Sequence, residues 1–235
     1  MAAPVIETHA LGKTFGLTPV LQETEFRLTP GRGAIVIGGN GSGKSTLLSI
    51  FAGLIAPSEG YALVFGVNTR RFGSRYRRRI GMMSHQSFLY PNLTALENLE
   101  FYARLYEVSA PREVAAFWLA RVGLADSAGD RVGTFSRGME QRLAAARAMI
   151  HGPSLLLLDE PFAGLDPDGA ARVQALIKSV LGEGCSIVAT AHTPFAVEGI
   201  ELEVYEIVRV QVVPYQEGDA RRRGRLRSLL RPRSS

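Results

Sequence analysis

The nine residues GGNGSGKST, Gly38 to Thr46, constrain this chain more than any other stretch. They fit G-x-x-x-x-G-K-[ST], with Gly38, Gly43, Lys44 and Ser45 at the fixed positions and Gly39, Asn40, Gly41 and Ser42 between them. The apolar run Ile35, Val36, Ile37 precedes them, and a helical pattern runs from Thr46 to Phe51. A strand, a glycine-rich turn and a helix in that order form a phosphate-binding loop. Glycines let main-chain N–H groups close around phosphate oxygens, and the positive end of the helix faces the same anion. Lys44 then reaches the outer phosphates and the Ser45 hydroxyl is placed to ligate Mg²⁺, which points to ATP with Mg²⁺.

Charge is unevenly distributed. The chain of 235 residues has a formal net charge of +5, yet residues 221–235 hold seven arginines and no acid. The rest carries 20 basic and 22 acidic side chains, so the body is close to neutral and gives no ground for a nucleic-acid partner. We expect one nucleotide-binding domain over residues 1–216 and a disordered arginine-rich tail over 217–235, with possible contact between that tail and anionic lipid. Cys185 is alone, which rules out an intramolecular disulfide and reads as a packed structural thiol. No run approaches the length of a membrane span, and no signal peptide is read at the N-terminus.

Strands are predicted at Val5 to Leu11, Thr24 to Leu28, Ala34 to Ile37, Tyr61 to Phe65 and Ile80 to Met83. Thr94 with Glu97 forms a capping box. Leu96, Leu99, Ala103 and Tyr106 then recur at helical spacing, and a second helix is read from Arg112 to Val122. This helical block, about 87–150, reads as a separate lobe. Further helices are expected from Glu140 to Ile150 and from Pro167 to Leu181, with strands at Leu155 to Leu158, Ser186 to Thr190 and Val204 to Val213. In LLLLDEP, Leu155 to Pro161, an apolar strand ends in two carboxylates. Such a strand is buried on both faces, and its C-terminal end lies where open α/β sheets bind ligands. Asp159 is placed to hold Mg²⁺ and Glu160 to act as general base toward water.

Between these motifs lies FSRGMEQRLAAARAM, Phe135 to Met149. With it the chain resembles the ATP-binding subunit of an ABC transporter, whose signature loop is LSGGQ-like. The resemblance implies a P-loop NTPase core with a mostly parallel sheet, an N-terminal antiparallel β subdomain and an inserted α-helical subdomain. It also implies that Ser136 and Gly138 meet the γ-phosphate of ATP held by an opposite subunit, so that the working unit is a head-to-tail homodimer or a pair of nucleotide-binding subunits. Arg137 and Met139 depart from the family pattern. By the same resemblance Phe15 stacks on adenine, Gln86 senses Mg²⁺ and the attacking water, Asp166 is the D-loop aspartate, and His192 contacts the γ-phosphate.

The stretches HQSFLYPNLTALENLEFYARLY (His85 to Tyr106) and AHTPFAVEG (Ala191 to Gly199) resemble the CcmA-type subunit of the haem exporter of cytochrome c maturation. This implies integral membrane partners and a place at the cytoplasmic face of the bacterial inner membrane. Other small-molecule, lipid or drug exporters remain alternatives. A soluble ABC ATPase acting on nucleic acid is disfavoured, because only 50 positions separate Gln86 from Ser136, too few for a long coiled coil. None of His9, His85, His151 and His192 forms a haem-ligand pattern, and no bound haem is expected.

Overall fold

A computed structural model describes residues 3–215; the tail reading for 217–235 lies outside the described residues. Two sheets organise the chain. The first is antiparallel and is built from β1 (Ile6–Phe15), β2 (Thr18–Thr24), β3 (Arg27–Leu28), β5 (Glu59–Val64) and β6 (Val67–Asn68). The second contains β4 (Gly33–Ile37), β7 (Ile80–Met83), β8 (Leu155–Asp159), β9 (Ser186–Ala191), β10 (Leu202–Val208) and β11 (Gln211–Pro214). Its order is β11-β10-β4-β9-β8-β7, parallel throughout except for the β10–β11 hairpin. The helices are α1 (Lys44–Phe51), α2 (Ser74–Arg77), α3 (Ala95–Leu105), α4 (Pro111–Arg121), α5 (Arg137–Met149) and α6 (Pro167–Gly182).

The side-chain period of two explains how the second sheet is covered on both faces. Leu155 and Leu157 of β8 join a core shared with β1, α1 and β5, while Leu156 and Leu158 join a core shared with α3 to α6. Val188 and Ile187 of β9 divide the same way. The helical block therefore does not bury a core of its own; Leu99, Leu119 and Leu143 pack in one cluster with the strands. Its first helix begins as expected, with the Glu97 N–H donating to Thr94 Oγ1 (3.1 Å) and the Thr94 N–H donating to Glu97 Oε2 (2.8 Å). Cys185 is buried, and that burial pushes its thiol up to about 12.

Two strand expectations need correction. The strand read from Thr24 to Leu28 is two pieces: β2 ends at Thr24, where the β1–β2 ladder has already been shifted by a left-handed Glu23 (φ 43°), and β3 begins only at Arg27. Across the break the Thr8 hydroxyl substitutes for the ladder: it donates to Thr24 O (2.9 Å) and accepts from the Phe26 N–H (2.7 Å). The strand read from Val204 to Val213 is a hairpin. Arg209 and Val210 both take positive φ (47° and 65°), as a two-residue hairpin loop requires, without the Asn-Gly that usually announces one.

Candidate functional site

The site lies at the C-terminal ends of β4 and β8, which are separated by β9 alone. Gly43 opens α1 at φ 106°, and a Cβ there would come within 3.0 Å of the Val20 carbonyl oxygen. A Cβ on Gly38 would meet Ser42 Oγ at 2.5 Å. A side chain at Gly43 would also be strained by the positive φ, and one at Gly38 would displace the Ser42 hydroxyl. Lys44 is 5% exposed and its Nζ donates to Gly38 O (2.8 Å) and Gly39 O (3.1 Å), so the ammonium is held inside the loop. Ser42 Oγ is buried and makes no hydrogen bond. A buried hydroxyl without a partner is costly unless a ligand satisfies it, and a phosphate oxygen would do so. Asn40, Gly41, Ser45 and Thr46 complete an open cleft of about 310 Å³, with Phe15 and Val20 on one side and His85 and Glu160 on the other. Phe15 is half exposed, with Lys13 Nζ 4.9 Å from its ring centre.

The acids are held by the backbone and by β9. Asp159 is 3% exposed and accepts a 2.6 Å hydrogen bond from Thr190 Oγ1. The same hydroxyl accepts the Glu160 N–H at 3.0 Å. Glu160 takes a positive φ of 50°, a left-handed conformation that costs a non-glycine residue roughly 1–2 kcal/mol. Gln141 Nε2 also donates to Glu160 O (3.3 Å). The carboxylate thus leaves the strand in a fixed direction, with Oε1 lying 3.4 Å from Lys44 Nζ and 3.2 Å from His192 Nε2. Glu160 is the centre at which the loop lysine, the β8 acids and His192 meet.

Gln86 is not in this group. It is exposed, and its carbonyl accepts a bond from Ser84 Oγ (2.9 Å), which tightens the turn after β7. The turn brings His85 to the acids instead, with Nε2 3.5 Å from Asp159 Oδ2. Sequence reasoning missed His85 and Thr190. Thr190 reaches the site through the ladder of β8 with β9, which pairs it with Asp159. Asp166 caps α6, accepting from the Gly169 N–H (2.8 Å), and Ser136 caps α5, accepting from the Met139 N–H (3.2 Å). Ser136 and Gly138 are not among the residues lining the loop cleft. Arg137, beside them, lines a smaller cavity with His85, Asp159 and Glu160, and its stem packs within 3.2 Å of the Cβ position of Gly164. The donor set fits a nucleotide triphosphate with a divalent cation: main-chain N–H groups and Lys44 for phosphate, and Ser45 and Asp159 for the metal.

The chain is similar to known proteins in sequence and fold. Residues 21–163 match the family described as ABC transporter. The linearmycin resistance ATP-binding protein LnrL of Bacillus subtilis is 32% identical over 80% of this chain, which spans 61% of that protein's length. The phosphonates import ATP-binding protein PhnC of Frankia casuarinae is 40% identical, with 76% of each chain covered. Among solved structures, the dimeric post-hydrolysis state of the ATP-binding cassette MJ0796 bound to ADP and Pi is similar with a TM-score of 0.81, at 26% identity over 88% of this chain and 96% of that one. From the phosphate loop to the β8 acids, and across most of its length, this chain belongs to the ABC transporter family, among its ATP-binding proteins.

Proposed function

We propose that this protein is an ATPase that drives a membrane transporter, working as a pair of cassettes. The observation that carries the reading is the convergence on Glu160, whose Oε1 lies near both Lys44 Nζ and His192 Nε2 at the mouth of the phosphate loop. In this reading the loop amides, Lys44 and Ser42 bind the phosphates, and Phe15 packs against the base. Ser45 and Asp159 hold Mg²⁺, which neutralises phosphate charge when bound. Glu160 accepts the proton of the attacking water, and its strained, doubly anchored backbone keeps the carboxylate aimed. His192 and His85 flank it and orient the reacting oxygens. Ser136 and Gly138, at the N-terminus of α5 and outside the chain's own cleft, serve the nucleotide of the opposite cassette. Asp166 sits at the same dimer seam.

The cargo reading is haem export in cytochrome c maturation, supported by the segments 85–106 and 191–199, with integral membrane subunits as partners at the cytoplasmic face of the inner membrane. A second reading, export of another small molecule, is favoured by the likeness to a linearmycin resistance protein. Among the described residues no helix is long and apolar enough to cross a membrane. Phosphate release from Mg²⁺-ATP by the purified chain tests the enzymatic reading. Lys44→Ala should lose nucleotide affinity, and His85→Ala should cut turnover more than Gln86→Ala. Equal effects of the last two would remove His85 from the site. Loss of mature c-type cytochromes on deletion of the protein, restored by the wild-type chain, separates haem export from the alternative.

A further inference from the structure

Between Glu59 and Glu97 the chain carries six arginines and no acid: Arg70, Arg71, Arg75, Arg77, Arg78 and Arg79. All six are exposed. Arg78 pairs with Glu107 (2.7 Å) and Arg79 lies over the Phe65 ring (3.7 Å). Among the described residues the other four have no carboxylate partner. This concentration of charge is unconnected with the nucleotide cleft, since it sits beyond the opposite end of α1.

A groove of about 420 Å³ runs through this region, between the loop after α1 and the segment Thr69 to Arg77. Two arginines stand in its wall, each anchored by one main-chain bond: Arg70 Nη2 donates to Pro57 O (2.5 Å) and Arg77 Nη2 to Phe72 O (3.4 Å). A guanidinium has five N–H donors in a fixed plane, so both keep donors free while their position is set. Thr69 also lines the groove; it is 3% exposed, and its hydroxyl is buried with no hydrogen-bond partner. The remaining lining is apolar: Ile55, Phe72 and Leu54, the last 58% exposed. Two preset guanidinium groups, an unsatisfied hydroxyl and an apolar rim match a phosphate group attached to something greasy. Arg71 and Arg75 project beside it without internal partners, as an array facing many such groups would.

We propose that this groove and its arginine rim bind the phosphate headgroups of anionic phospholipid, seating the cassette against the membrane surface independently of any protein partner. The inference rests on the reading of the chain as a transporter subunit, which brings it to that surface. The test is co-sedimentation of the full chain with vesicles of phosphatidylcholine and phosphatidylglycerol in equal parts, against phosphatidylcholine alone. Each basic residue near an anionic surface contributes about fivefold in affinity. Arg71→Gln with Arg75→Gln, at exposed positions with no side-chain hydrogen bond or ion pair among the described residues, should therefore weaken vesicle binding roughly 25-fold. Thr69→Val, which changes no charge, should weaken it several-fold if the groove is the seat. Wild-type affinity in both variants would overturn the proposal and leave the arginines of 221–235 as the source of binding. Capture of soluble glycerol 3-phosphate by the wild type but not by Thr69→Val, with no vesicle binding, would also overturn it in favour of a free phosphate compound. Both variants should retain Mg²⁺-ATP hydrolysis. A chain that binds vesicles but hydrolyses no ATP would sink the functional reading and spare this one.

Discussion

Thr190 holds both acids with one hydroxyl, donating to Asp159 Oδ1 and accepting the Glu160 N–H. Replacing it with valine keeps the size and the β-branch but leaves a nearly fully buried carboxylate oxygen and a main-chain donor unpaired, at a cost of roughly 1–3 kcal/mol for each. In that variant Glu160 loses one of the anchors of its left-handed backbone. Thr190→Val should lower turnover at least tenfold with nucleotide affinity little changed, and Thr190→Ser, which restores the hydroxyl, should recover most of it. Turnover that falls equally in both would assign Thr190 to packing alone. The phosphate-loop residues and the two acids at the end of β8 were legible because their chemistry needs fixed types at fixed spacing. His85 and Thr190 were not, because their roles come from a turn geometry and from the register of two strands distant in sequence.

At the scale of elements, α5 connects the site to the helical block. Its Arg147 is buried, donates to Met82 O (2.7 Å) and lies against Tyr102 and Phe88, tying the helix to β7 and to the turn that carries His85. Just past α5, His151 stacks on Tyr106 with ring centres 3.9 Å apart, its Nε2 facing Ile80 O. Burial pulls the His151 imidazole down from 6.5 to about 4. The folded chain therefore keeps it neutral while the unfolded chain protonates first. Its contribution is intact above pH 6.5 and is lost as pH falls toward about 4, amounting to roughly 3 kcal/mol at most. Urea midpoints measured across that window should fall with pH in the wild type and fall less in His151→Phe. Parallel slopes would mean that other groups carry the acid sensitivity. Strands with strong alternation or continuous apolar runs, such as β8, were readable from sequence. The irregularity at the end of β2 and the β10–β11 turn were not, since Glu23, Arg209 and Val210 adopt positive φ with none of the glycine or asparagine that signals it.

For the whole molecule, the decisive feature is what a single chain does not assemble. Phe15, the phosphate loop, His85 and Glu160 share one cleft, while Ser136 and Gly138 stand at the start of α5 apart from it. In the function proposed above a second cassette, turned head to tail, supplies those groups; the similar cassette MJ0796 bound to ADP and Pi is dimeric. The most direct measurement is the mass in solution of the Glu160→Gln variant with and without Mg²⁺-ATP, by light scattering after size exclusion. The substitution keeps the shape of the side chain and removes the proton acceptor. An ATPase that works as a pair of cassettes should give a monomer without nucleotide, a stable dimer with ATP, stalled turnover, and loss of that dimer when Ser136→Arg is added. A Glu160→Gln chain that binds ATP yet stays monomeric, or that hydrolyses it at the wild-type rate, would contradict that reading.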